Sequence, residues 1–301
     1  MDSPKINPYI AILIGVLSVS TSSILVKASS APTGVIAFYR LLFSVLLMLP
    51  LFLSRYLSEL QLIKKKDWVY TIISGVFLSF HFILWFESLN YTSVASSTVL
   101  VTLQPLFAFA ASYIIYKERF SGKAIISMLL AIAGSIMISW GDFRISGKAL
   151  YGDILALAAC ALITIYMMVG QAVRQRLSLI TYTFVVYTIS SIVLLGNVLL
   201  AHNPLFPYPV NDWIYFFLLA LFPTLLGHSL FNWSLKWVHA STISMAILFE
   251  PIGAAILAYY LLQEKLIWTQ ILGGIVVIGG ILLYLVDEKK IKAKARLKQS
   301  I

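Results

Sequence analysis

The sequence predicts an all-α integral membrane protein whose ten transmembrane helices form two inverted five-helix repeats. The first of three supporting observations is composition: 60% of the 301 residues are hydrophobic and 11% are charged, against about 45–50% and 25% in soluble domains. The other two are ten apolar runs of membrane-crossing length and a regular alternation of basic and non-basic loops. A chain this apolar cannot cover its surface with polar groups, so lipid is its expected solvent.

Each apolar run can cross about 30 Å of hydrocarbon, which takes roughly 20 helical residues. Helices are expected because strands with open edges leave backbone groups unsatisfied in lipid. The predicted spans are Tyr9–Lys27, Gly34–Leu53, Trp68–Leu89, Thr92–Tyr116, Ala124–Trp140, Leu150–Gly170, Ile180–Ala201, Trp213–Leu235, Ser241–Leu262 and Trp268–Val286.

The basic residues predict the orientation of these spans. If the N-terminus is cytoplasmic, 17 of the 22 Lys and Arg residues fall in cytoplasmic segments, 4 fall on the other side, and Arg40 lies within a span. Cytoplasmic loops of membrane proteins carry such an excess. We therefore expect a multi-pass protein with both termini in the cytoplasm and a basic cytoplasmic tail at 287–301. The expected location is a bacterial plasma membrane. Because the positive charge lies in short loops and this tail, nucleic acid is not an expected partner.

An internal repeat appears when the sequence is shifted by 146 residues. The two expected repeats, residues 8–141 and 150–286, each contain five spans, and an odd number forces the second to insert upside down. Inverted repeats of this kind are a transporter architecture with the substrate site between the halves near the bilayer midplane. The aligned pairs are Gln104 with Glu250, Pro105 with Pro251, Tyr113 with Tyr259, Glu118-Arg119 with Glu264-Lys265, and Gly134 with Gly280.

The fourth span has a mid-span proline followed by an acid, Pro105 and Glu118, and the ninth repeats the pattern at Pro251 and Glu264. Together with the run Phe38-Tyr39-Arg40, this resembles the EamA-type members of the drug/metabolite transporter superfamily. The resemblance implies ten helices in a five-plus-five inverted fold, export or exchange of metabolites, amino acids or drugs, and no ATPase domain. One departure stands out. The small multidrug-resistance relatives carry a membrane-embedded Glu in their first helix, whereas the first span here has no acid, so proton-driven export of lipophilic cations by their mechanism is not expected.

Intramembrane ionisable residues are the leading site candidates because a charge at the bilayer centre is costly. Glu250 lies directly before Pro251, and proline frees a backbone carbonyl; a carboxylate beside such a kink can bind a cation, an amine or a proton. The alternative is a structural carboxylate paired with His228 or Asn232. Gln104, before the second kink at Pro105, is its neutral counterpart.

Two further pairs of side chains are candidates for the substrate site. His228 and Asn232 share a helix face, as do His81 and Trp85, because four residues separate each pair. Trp85 can form an aromatic wall for a substrate or belong to an interfacial belt.

Arg40 can bind a substrate carboxylate or phosphate, or it can bind a backbone carbonyl or extend to the interface. Tyr39 and Tyr166 are weaker candidates for the cavity wall. The hydroxyl-rich stretches at residues 18–23 and 93–102 can line a cavity or join helices.

Signatures of enzymes are absent from the sequence. It has no His-Glu-x-x-His, Walker or Gly-x-Ser-x-Gly motif, and Cys160 is its only cysteine. We expect no catalytic residues, no metal and no cofactor. The predicted function is a secondary transporter that exports a small organic metabolite, amino acid or drug by alternating access, with a coupling proton as a possible partner. The alternatives are a membrane-embedded enzyme acting on a lipid or prenyl group, and a channel.

Overall fold

In the computed structural model, the described residues are 4, 6–140, 147–261 and 268–299, and every regular element within them is helical. Nine of these helices are apolar and long enough to cross a membrane, and a shorter apolar helix makes the tenth span. The spans, numbered in chain order with halves marked a and b, are α1a Pro8–Val19, α1b Ser22–Ala28, α2 Thr33–Arg55, α3 Lys65–Ser88, α4a Val94–Val101, α4b Gln104–Tyr116, α5 Gly122–Ser139, α6 Gly147–Val173, α7 Leu179–Leu200, α8 Val210–Ser234, α9a Ala240–Ile247, α9b Glu250–Leu261 and α10 Trp268–Gln299.

The packing of these helices is symmetric between the first and second halves of the chain. The second helices of the two halves, α2 and α7, pack together, and so do the fifth, α5 and α10. The third helix of each half packs against the first helix of the other, which gives the pairs α3–α6 and α1–α8. Exchanging the halves leaves this set of contacts unchanged, as an inverted repeat requires.

Alternation of the ten helices places their ends on two sides of the bundle. The side that carries the N-terminus, called the terminal side here, also carries the segments between α2 and α3 and between α6 and α7. Tyr9 on α1a bonds Glu288 on α10 there, at 3.0 Å between the oxygens. The loops from α1 to α2 and from α7 to α8 lie on the opposite side. The last helix continues as far as Gln299, whereas the predicted tenth span ends at Val286 and a tail follows.

Two spans predicted as kinked helices are broken into half-helices. In the fourth span α4a ends at Val101 and α4b begins at Gln104, and in the ninth α9a ends at Ile247 and α9b begins at Glu250. The prolines of these spans occupy the first turn of the second halves, where a missing N–H costs no helical hydrogen bond. Glu264 and Lys265, the counterparts of Glu118 and Arg119, lie outside the described residues.

Small residues bring α5 and α10 into close contact. A Cβ on Gly134 would lie 2.7 Å from the carbonyl oxygen of Gly273, and a Cβ on Gly280 would lie 2.8 Å from the backbone nitrogen of Ala131. Backbone atoms cannot move aside as a flexible side chain can. This pair of helices is therefore held together by backbone-to-backbone packing, as small residues permit in membranes.

Adjacent glycines on α10 allow a matched test of this packing. Gly280→Ala should destabilise the protein by about 1–3 kcal/mol because the added methyl group overpacks the contact. Gly279→Ala should change stability by less than about 0.5 kcal/mol, because a Cβ there meets nothing within 4 Å. Thermal unfolding in detergent measures both, and equal effects would contradict the packing argument.

Candidate functional site

A small cavity lies between the two halves at the breaks in the helices. Six of the nine predicted site side chains line it, together with Ser22 on α1b and apolar residues. The cavity holds about 30 Å³ of space for the centres of water molecules, which is room for roughly two waters. The cavity is thus too small for an organic solute. The six predicted side chains are Arg40, His81, Trp85, Gln104, His228 and Glu250.

Arg40 on α2 is completely buried. Its Nε donates a hydrogen bond of 2.8 Å to Thr224 Oγ1, and its Nη1 donates one of 2.9 Å to Ser22 Oγ. The guanidinium carbon lies 4.3 Å from the centre of the Phe82 ring, a favourable cation–π geometry. Nη2 is buried with no hydrogen-bond partner among the described residues. An unpaired donor on a buried cation is costly, so folding alone does not account for it.

Glu250 is the first residue of α9b and is 6% exposed. Across the described part of the chain its carboxylate has no hydrogen bond, and no Lys, Arg or His nitrogen lies within 4.0 Å; the single ion pair described there is Arg176–Asp67. The alternative of a structural pair with His228 or Asn232 is therefore not seen. The N-terminus of a helix favours a negative charge, and α9b provides one. Glu250 and Arg40 thus bring opposite charges to one cavity without forming an ion pair.

Two neutral groups on the wall also lack partners within the described chain. Gln104 begins α4b as Glu250 begins α9b, and its Oε1 is buried and unpaired. Trp85 on α3 is 3% exposed, and its Nε1 is likewise unpaired. Trp85 therefore belongs to the cavity wall, and not to an interfacial belt.

The two histidines lie on opposite halves of the site. His81 Nδ1 lies 3.0 Å from the carbonyl oxygen of Ala159; because a carbonyl only accepts, Nδ1 carries the proton and Nε2 of the neutral ring is an acceptor. The ring of His81 stacks on Trp85 with 5.7 Å between the centres. His228 on α8 meets the edge of Phe82 at 5.7 Å. Both rings can thus orient a polar group in the cavity.

Asn232 and Tyr166 lie behind His228 and do not line the cavity. Asn232 Nδ2 donates to the carbonyl oxygen of His228 at 2.8 Å and to the hydroxyl of Tyr166. The ring of Tyr166 lies 6.4 Å from that of His228. This pair can hold His228 in place without contact to a solute.

Tyr39 is not part of this group. Its hydroxyl donates to the carbonyl oxygen of Leu205 at 3.0 Å, on the opposite side of the bundle. Its ring stacks on Phe216 at 5.1 Å and meets Trp213 edge-on at 4.8 Å. Pro105 and Pro251 are absent from the cavity wall and act through the helix breaks.

Sequence reasoning did not single out Phe82 or Thr224, both of which contact Arg40. Residues Ala220–His228 of α8 form a π-helical segment, and Thr224 Oγ1 donates to the carbonyl oxygen of Leu219, five residues back, at 2.9 Å. Pro223 inside an apolar span is a sequence signal for a departure from the α-helix, because proline removes a helical hydrogen bond. π-helical turns are frequent at functional sites. Phe82 carries no comparable signal among the many aromatic residues.

Each side of the bundle is closed by a different acid, which lies near the start of the third helix of its half. On the terminal side, Asp67 of α3 accepts hydrogen bonds of 2.9 and 2.5 Å from Arg176, between α6 and α7. On the opposite side, Asp212 of α8 accepts bonds of 2.8 Å from Ser29 Oγ and 2.6 Å from Ser30 Oγ, between α1 and α2. Each acid thus reaches the loop between the first and second helices of the other half. The two closures are related by the inverted repeat.

Glu59, between α2 and α3, adds a second contact on the terminal side. It accepts bonds of 2.7 and 2.5 Å from Ser178 N and Oγ, and one of 2.5 Å from Thr181 Oγ1, at the start of α7. Burial raises the pKa of the Glu59 carboxyl, but these hydrogen bonds lower it by more, so the pKa lies below its usual value. The stabilisation from this contact is present at neutral pH and is lost as the pH falls through that pKa.

The chain is similar to a family of transporters and to individual proteins of that kind. The family model described as the EamA-like transporter family matches residues 6–140 and again residues 150–286. An uncharacterized transporter of Archaeoglobus fulgidus is 26% identical over 258 residues, covering 82% of this chain and 86% of the relative. The uncharacterized transporter YetK of Bacillus subtilis is 26% identical over 259 residues, covering 83% and 77%.

One solved crystal structure has the same fold, with a TM-score of 0.74 at 14% identity over 92% of this chain and 98% of that one. The double family match and the helix pairing confirm the predicted fold class of ten helices in two inverted five-helix repeats.

The contribution of the hydrogen bond between Arg40 and Thr224 to stability can be tested directly. Thr224→Val should destabilise the protein by at least about 1–3 kcal/mol, because a second donor on a buried charged group then has no partner. Thr224→Ser keeps the hydroxyl and is the control, with a smaller effect. Thermal unfolding in detergent measures the stability of both variants. If Thr224→Val were as stable as Thr224→Ser, the hydrogen bond to Arg40 would contribute little.

Proposed function

Because the chain belongs to the EamA-like transporter family, we propose that it is a secondary transporter that exports a small organic solute by alternating access. That it is a multi-span membrane protein of a transporter family, with bacterial and archaeal relatives, is established by the match and the helices. The solute, the direction and the residues that bind the solute are parts of the proposal.

The observation that carries the proposal is the unpaired Nη2 of Arg40 at the closed cavity. A guanidinium binds carboxylate or phosphate strongly and directionally. Its burial between the two halves, without a carboxylate partner of its own, supports a role in binding an anionic group of the solute. Trp85 Nε1 supplies a second donor on the same wall.

Glu250 gives the site a second charge of opposite sign. The carboxylate comes from the second half and Arg40 from the first, and no ion pair joins them among the described residues. The solute complementary to this arrangement carries a carboxylate or phosphate and a positively charged amine, as an amino acid does. When no amine is bound, a coupling proton can neutralise Glu250.

The paired closures support alternating access. Opening the terminal side requires Asp67 to leave Arg176, and opening the opposite side requires Asp212 to leave Ser29 and Ser30. Either movement shifts one half against the other around a site that both halves share. The form described here, closed on both sides, fits an intermediate between the two open forms.

The test of the substrate class is a thermal-shift screen of the purified protein at two pH values. Amino acids, nucleosides, sugar phosphates and cationic dyes are compared, because a ligand that binds the folded state raises its stability, by about 2.7 kcal/mol at a hundred times its Kd. We expect stabilisation by solutes with both an anionic group and an amine.

Variants assign the two charges in the same screen. Arg40→Gln should abolish the thermal shift. Glu250→Gln should abolish the shift given by amine-bearing solutes and remove the pH dependence of the shift. Arg55→Gln, an exposed control at the end of α2, should preserve the shift. A shift given only by cationic dyes, or one that survives in Arg40→Gln, would refute the proposed role of Arg40. Stabilisation only by lipid-like compounds would favour a membrane-embedded enzyme.

The orientation can be tested with single cysteines in a Cys160→Ala background. Cys160 is buried, and the proposed cytoplasmic location of the termini rests on the basic residues of the terminal-side segments. A membrane-impermeant thiol reagent on intact cells should label Val210→Cys, which is exposed on the opposite side, and spare Lys64→Cys on the terminal side. The reverse pattern would place both termini outside.

A further inference from the structure

A second cavity, of about 380 Å³, lies away from the central site on the terminal half of the bundle. Residues of α3, α4b and α6 form it, and it is called the α3–α4b–α6 groove here. Its floor is apolar, and Ile115 and Ile165, which are exposed on the bundle surface, flank it. In a membrane these exposed side chains face acyl chains, so the groove opens toward lipid.

Two cations stand at the rim of this groove. Lys66, in the first turn of α3, is exposed and has no hydrogen bond or ion pair to a described residue; its Nζ lies 5.5 Å from the centre of the Tyr70 ring. Arg176 follows the end of α6 and gives Nε and Nη2 to Asp67. Its Nη1 has no bond to any described group. The rim therefore offers an ammonium and one edge of a guanidinium.

The rim lies at the end of the bundle, where lipid headgroups are expected. Lys66 and Arg176 both belong to the terminal ends of their segments, and Tyr70 lies one turn below Lys66 on α3. Tyrosine side chains are enriched at this interface, and basic pockets between transmembrane helices on the cytoplasmic side bind anionic headgroups. A phosphate between Lys66 and Arg176 would have an apolar groove directly beneath it.

We propose that the α3–α4b–α6 groove binds an anionic phospholipid. The lipid phosphate accepts hydrogen bonds from Lys66 Nζ and Arg176 Nη1, and one acyl chain lies along the apolar floor. Charge complementarity selects the anionic class, because both charged residues that line the groove are basic and the neighbouring Asp67 is buried and already bonded to Arg176. The site does not depend on the transported solute, although its place in the cytoplasmic leaflet rests on the proposed orientation.

Native mass spectrometry of the full-length protein with equal amounts of phosphatidylglycerol and phosphatidylcholine of the same chain length tests this proposal. Phosphatidylglycerol should be retained preferentially. Lys66→Gln should reduce this preference about fivefold, which is the effect expected of one basic residue near an anionic surface. Lys64→Gln, at a lysine that does not line the groove, should reduce it much less.

A third variant distinguishes the contribution of the apolar floor of the groove from that of the basic rim. Ala172→Phe fills the floor from α6 without altering the rim, so it should reduce retention of both lipids. Gel filtration checks that each variant is folded, and Lys66, being exposed, can be replaced without loss of a buried contact.

Equal retention of the two lipids, or equal effects of Lys64→Gln and Lys66→Gln, would overturn the proposal. Displacement of phosphatidylglycerol by millimolar inorganic phosphate would also overturn it, in favour of a site for free phosphate. None of these readouts measures transport, so a failed transport assay leaves this test intact.

Discussion

The buried charge of Arg40 is the constraint on which the centre of the structure depends. A charge at the middle of a bilayer costs at least about 2.5–3.5 kcal/mol, and the protein offsets that cost with two hydroxyl groups and an aromatic face instead of a carboxylate. Ser22 and Phe82 come from the first half, and Thr224 comes from the second. The position of one guanidinium therefore fixes how α1b, α3 and α8 meet across the boundary between the halves.

The breaks in the fourth and ninth spans follow from the same requirement. The first turn of a helix leaves backbone N–H groups without helical partners, and in lipid such groups are tolerated only where they face protein or a polar cavity. Gln104 and Glu250 begin their half-helices at the cavity. The polar cavity thus allows the backbone to be broken within the membrane. The breaks in turn place polar side chains at the depth where Arg40 is buried.

The sequence predicted the ten spans because length and hydrophobicity are properties of each segment alone. It predicted six cavity residues because a polar side chain within an apolar span has few places to lie other than the interior. Tyr39 lies outside the cavity although its neighbour Arg40 lines it, because both faces of α2 are apolar enough to be buried. Sequence reasoning could not find Phe82 or Thr224, because their importance arises from what they contact. The helix breaks were also missed, since proline permits a kink or a break and tertiary packing decides between them.

The two closures share a geometry and differ in chemistry, and the difference bears on how the halves can move. Asp67 meets a guanidinium and Asp212 meets two hydroxyl groups. The ion pair does not make the Asp67 closure much stronger than the Asp212 closure. The Arg176 side chain is 44% exposed, and ion pairs in such settings contribute about 0–1 kcal/mol. Each hydroxyl-to-carboxylate hydrogen bond at Asp212 contributes about 1.5–3 kcal/mol, so the closure without an ion pair is not the weaker of the two. In the proposed transport cycle, the absence of a strong ion pair from both closures would let a modest difference in solute binding shift the population between two open forms.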